Sequence, residues 1–154
     1  MSDSEIRVGR ISSVNYDSGM ARVTYRDKGD SVTSEFSLIT NNDEYRMPEV
    51  GESVLVSHLS NGSSRGVVIG TLWNKKHIPN ETGKEIYRKE LSRDKNAAYV
   101  RYSDETGEYL VKAANLHLNG VNKTMLDGPE LEIAANISIL LQSECMHVDI
   151  SELH

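Results

Sequence analysis

Cys145 and His147 stand one residue apart. On an extended strand both side chains leave the same face, and a thiolate beside an imidazole is a ligand pair for a soft metal ion. A terminal histidine, His154, follows. Three copies of the chain would bring three thiolates and three imidazoles together. The neighbouring pattern opposes this, because Met146, Val148 and Ile150 alternate on the other face. If those aliphatic side chains turn inward, Cys145 and His147 face solvent, so no metal and no cofactor is assigned. Cys145 is the single cysteine, which excludes an intramolecular disulfide and a zinc site built from several thiolates of one chain.

Nucleophilic and acid–base chemistry find less support. His58-Leu59-Ser60 has no glycines of a nucleophile elbow around it. His58 and His117 read as ordinary strand residues. Asp43-Glu44 and Asp104-Glu105 fall in turn sequences, where paired carboxylates are solvated. A phosphate-cradling glycine loop is absent. The expectation is a protein that is not an enzyme, with no catalytic residues.

What positions these residues is β-structure throughout. The chain has 154 residues, 6% of them aromatic, and a net charge of −6 that is unevenly placed. Residues 1–102 carry 15 basic and 14 acidic side chains, whereas 103–154 carry 2 basic and 9 acidic ones. A nucleic-acid binder needs a basic stripe for the phosphates, and the acidic C-terminal third offers none. No run of 18 apolar residues exists to span a membrane, and Met1-Ser2-Asp3-Ser4-Glu5 lacks the features of a signal peptide. Synthesis in the cytoplasm is expected, with export that bypasses signal peptides left open.

Residues 1–74 predict a five-stranded barrel of the oligonucleotide/oligosaccharide-binding (OB) type. Ile6 to Tyr16 alternates only approximately, as a bent first strand would. Asp17-Ser18-Gly19 and Asp27-Lys28-Gly29-Asp30 are turns around Met20–Tyr25, and Val32–Ile39 follows. Val54-Leu55-Val56 and Gly66–Trp73 flank the polar loop Ser60–Ser64. Five strands at such spacing suit a small closed barrel better than a sandwich. Residues 75–96 read as a connector: Pro79 ends the barrel, and Ile86, Tyr87 and Leu91 anchor an irregular linker or line a short helix.

Residues 97–154 form a second segment. A hairpin turns at Ser103–Gly107, and Leu131, Ile133, Ala135, Ile137, Ile139 and Leu141 then occupy every second position. About fifty residues with few aromatics cannot close a core alone. Three chains winding about a common axis would bury the aliphatic face and leave the acidic face wet, with no spare strand edge. An obligate homotrimer is expected, the alternative being a second layer packed on the barrel.

These residues carry a resemblance. Arg7-Val8-Gly9-Arg10-Ile11, Pro48 to Val56 and Arg65 to Asn74, with Pro79 after them, resemble in order the conserved stretches of the phage baseplate assembly protein V family. That family supplies the central spikes of contractile phage tails, R-type bacteriocins (tailocins) and related injection systems. The resemblance implies an all-β chain: an OB-fold collar that docks on the baseplate hub, then a C-terminal β-helical spike formed by three intertwined chains. It implies puncture of the target cell envelope, residence in a virion or tail-like particle, and no nucleic-acid partner. At about 3.3 Å per residue no strand exceeds roughly 35–40 Å, so the needle would be short. Relatives often hold a tip iron with a His-x-His pair; this chain has Cys145-x-His147 in its place. Two alternatives stay open: an OB module that binds single-stranded nucleic acid, and an assembly factor that pierces nothing.

Overall fold

The computed structural model describes residues 5–59, 65–136 and 138–140. Two units result, residues 1–113 and 114–154. In the first, β1 (Ile6–Asn15), β2 (Met20–Tyr25), β3 (Ser31–Val32), β4 (Phe36–Leu38), β5 (Ser53–His58) and β6 (Gly66–Thr71) form one sheet in the order β1-β5-β6-β4-β2-β3. An additional β1–β2 pairing closes five of these strands into a ring. β4 and β6 run parallel and every other pair is antiparallel. This is the strand order of an OB barrel.

The first strand closes the ring by serving two neighbours. Ile6 to Arg10 pair with β5, whereas Arg10 to Asn15 pair with β2. A register shift between Ile11 and Ser13 bends the strand where it changes partner, which is why its alternation is imperfect. Closure leaves the ring without a free edge.

Alternate side chains fill the inside: Ile11, Ala21, Val23, Tyr25, Phe36, Val54, Val56 and Val68 are buried together, with Val14 and Leu38 packed against them. So small a core depends on close backbone approach. A Cβ on Gly66 would lie 2.6 Å from Phe36 Cε2, and one on Gly9 would lie 2.3 Å from Val23 Cγ1. Both positions are glycine because the core residue opposite already occupies that space.

The connector is more regular than its sequence suggests. Residues 86–90 form a strand, β7 (Ile86–Glu90), where an irregular linker or a short helix was expected. It pairs antiparallel with β8 (Tyr99–Ser103), which pairs in turn with β9 (Tyr109–Lys112). The expected hairpin is therefore the outer part of a three-stranded sheet that straddles the boundary drawn at residue 96, and the first compact unit runs on to Ala113. The hairpin turn itself is as expected, with Gly107 at φ 68° and its N–H bonded to the Ser103 carbonyl at 2.8 Å.

The second unit contrasts with all of this. Among its described residues, 114–136 and 138–140, no strand pairing forms within the chain, and each side chain is exposed. Among the described residues of the alternating run from Leu131 no ladder forms.

Candidate assembly interface

Unpaired backbone and uncovered aliphatic side chains coincide in one stretch. β9 lies at the edge of its sheet, and its residues are exposed on both faces: Tyr109, Leu110 and Val111 all show large apolar area. The same holds further on for Leu116, Leu118, Val121, Leu131, Ile133 and Ile139. Val121 is 96% exposed and Ile133 63%. Exposed strand edges and exposed aliphatics are each features that proteins usually cover.

The sheet from which this stretch departs is held firmly. Glu81 accepts from Arg101 Nε at 2.9 Å and from Arg88 at 3.1 Å. Arg88 also donates to Glu90 and to Asn96, and its guanidinium lies 3.7 Å from the Tyr99 ring centre. The hydrogen bond from Arg101, then that from Arg88, holds the Glu81 carboxyl below its ordinary value of 4.5. β7 was illegible as a strand because beside Ile86 its less exposed face carries Arg88 and Glu90 rather than aliphatics.

Two arginines clasp this sheet to the barrel. Arg46 donates to the carbonyls of Glu90 (3.1 Å) and Leu91 (3.2 Å), while Arg93 donates to Glu49 (2.8 Å) and to the Met47 carbonyl (3.0 Å). Lys89 pairs with Glu44 beside them. Glu44 thus belongs to an ion pair, and the backbone of Asp43 beside it takes a left-handed turn conformation. Next to the clasp opens a groove of about 520 Å³, lined by Ile39, Ile69, Trp73 and Ile78 as well as charged residues. His77 packs on Trp73 there, with ring centres 4.5 Å apart, and its Nε2 lies 3.8 Å from Glu52. Sequence reading passed over His77. The signal is Asn74, whose side-chain oxygen accepts from the backbone N–H groups of Lys76 and His77 and turns the chain back.

The remaining candidates are scattered. His58 ends β5, where its Nε2 meets the Tyr25 hydroxyl at 2.8 Å and its ring stands edge-on to Phe36. Burial pushes the Tyr25 phenol up to about 12, with Arg7 acting in the opposite direction. This is a packed cluster inside the barrel end. His117 is exposed in the second unit, and Asp104-Glu105 sit in the hairpin turn. Ser60, Cys145, His147 and His154 lie outside the described residues. Among the described residues no three metal-ligating side chains cluster, and no helix is long and apolar enough to cross a membrane.

A closed five-stranded OB barrel with a clasped satellite sheet defines the class of the first unit. Residues 7–73 match the family described as the type VI secretion system/phage-baseplate injector OB domain. Over those residues the barrel is similar to that family's OB domain, in agreement with the resemblance carried by Arg7–Ile11, Pro48–Val56 and Arg65–Asn74. No curated protein matches the chain.

Proposed function

We propose that this chain is the trimeric central spike of a contractile injection baseplate, mechanical and not catalytic. Its OB barrels dock on the tail hub. Its C-terminal segments, from β9 onward, wind with those of two other copies into a short β-helical needle that is driven through the target envelope. The observation that carries this reading is the unpaired edge of β9 continued by exposed, alternating aliphatics through Ile139. Interchain ladders would satisfy that edge, and a shared aliphatic interior would make the rod stiff. The acidic exterior of residues 103–154 would limit adhesion to anionic envelopes. The chain's place is then the baseplate of a virion or tail-like particle.

What weighs against the nucleic-acid reading is charge, with no basic stripe to meet phosphates. Of the barrel's aromatics Tyr25 and Phe36 are buried, whereas Tyr16, Tyr45 and Trp73 are exposed. The test of the trimer is solution mass by light scattering: three times 17.2 kDa for the full chain is the expected result. A single-chain mass would refute the spike and return attention to a ligand for the OB barrel.

A further inference from the structure

The groove beside the arginine clasp holds two polar atoms that the chain itself leaves unserved. Glu90, at the end of β7, accepts from Arg88 Nε through Oε1, while its Oε2 is buried with no hydrogen-bond partner among the described residues. Burial works to raise that carboxyl, but Arg88 and Asn80 outweigh it and hold the group below its ordinary value of 4.5, so the oxygen is charged. His77 Nδ1 is likewise buried and unpartnered, and the ring's other nitrogen faces Glu52. A buried polar atom without a partner costs free energy until something supplies one.

Both residues line the same cavity of about 520 Å³, which is in the size range of small-molecule sites. Exposed apolar side chains stand around them. Trp73 is 63% exposed although His77 packs on it, and Ile39, Ile69 and Ile78 are exposed as well. The indole is also held in place, because the backbones of Asn74 and His77 bond to each other in both directions, at 2.9 and 3.1 Å. Water could serve the two polar atoms, but it would leave the indole and the isoleucines uncovered. An occupant that answers both needs carries an apolar face and a rim of hydrogen-bonding groups.

Charge narrows the choice. Five carboxylates and five lysine or arginine side chains line the groove, so neither sign is in excess. An anion would meet the bare oxygen of Glu90, and a cation would meet Arg46, Lys76 and Lys95. A hydroxyl donates as well as accepts, so it suits the carboxylate and either tautomer of His77. A pyranose ring sets hydroxyls around its edge and C–H bonds on its faces, and such a face stacks on an aromatic ring.

We propose that the groove between the barrel and the satellite sheet is a binding site for a neutral saccharide of one or two rings. A sugar ring lies on Trp73 and Ile78, and its hydroxyls, or those of a second ring, serve Glu90 Oε2 and His77 Nδ1. All of these residues belong to one chain, so the inference does not rest on the trimeric reading.

Trp73 is the single tryptophan, so its fluorescence reports on the groove. Full-length protein is titrated with cellobiose, maltose and N,N′-diacetylchitobiose at millimolar concentration, and with n-propylamine and acetate as charged probes. The expected result is a saturable change in Trp73 emission with at least one disaccharide and none with either ion. Glu90→Gln should weaken that binding roughly tenfold, as loss of a hydrogen bond to a charged group does. Trp73→Ala, at an exposed position, should remove the heat of the same titration measured by calorimetry, which keeps the test decisive should Glu90→Gln fold poorly. Silence with all three disaccharides overturns the inference, as does a response to propylamine or acetate in their place. Undiminished heat from Trp73→Ala puts the sugar elsewhere and overturns it too. The mass of the assembly enters none of these outcomes.

Discussion

The barrel and the segment after it carry a similar pattern with different outcomes. Both alternate apolar with polar residues and hold few aromatics. In the barrel each strand finds its neighbours within about sixty residues of chain, the ring closes, and Val23, Val54 and Val56 are fully buried. From β9 onward the alternation is at least as regular, yet Leu131, Ile133 and Ile139 remain more than half exposed. The difference teaches that period-two alternation specifies a face to be buried without specifying which chain buries it. Closure within one chain needs a strand that can bend to serve two neighbours, as β1 does at Ile11–Ser13.

The sharpest way to break this comparison is a charge in the second region. Ile133→Asp would place an unpaired carboxylate in the shared interior three times over, and breaking a buried environment in this way costs about 3–5 kcal/mol per site. The expected outcome is a fall in solution mass from three chains to one, with the barrel's thermal unfolding unchanged. A trimer that survives the substitution would place its interface elsewhere.

Phe36→Ala does the reverse. Phe36 is 2% exposed and fills the centre of the barrel, so its truncation should cost about 3–5 kcal/mol of barrel stability. Denaturant unfolding monitored by Trp73 fluorescence reads this loss, and the mass of the assembly should not change at temperatures where the barrel stays folded.

Arg46→Ala is a smaller change between the barrel and its satellite sheet. The guanidinium is exposed, so losing its bonds to the Glu90 and Leu91 carbonyls should cost only about 1 kcal/mol. Amide exchange should rise locally around residues 89–93, with the barrel core unaffected.

The smallest effect is on the acid limb. Glu81 is held below its ordinary value of 4.5 by Arg101 and Arg88, so its contribution is complete above that pH and is lost as pH falls through its lowered folded value. Thermal midpoints measured from pH 6 downward should therefore drop in the natural chain, and Glu81→Gln should flatten that drop by starting lower.

Much of the barrel was legible because apolar side chains alternate along β1, β2, β5 and β6 and turn residues separate them. Gly19 and Gly29 mark two of those turns with left-handed backbone. β7 was not legible, since beside Ile86 its less exposed face carries Arg88 and Glu90, and the partners of Arg88, Glu81, Asn96 and Tyr99, are distributed along the chain. A strand held by ion pairs leaves no hydrophobic period to find. The alternation from Leu131 onward was visible in the sequence, whereas the position of β9 at the edge of its sheet required the sheet order.

Amide hydrogen exchange across residues 109–140 of the full-length chain, read beside exchange in β1, β2 and β5, tests the contrast most directly. If other copies complete the second region, its alternate amides should be protected to a degree comparable with the barrel's, despite having no ladder partner among the described residues. Exchange at the rate of unstructured peptide through Leu131–Ile139, in protein whose barrel is well protected, would contradict a needle built from three chains.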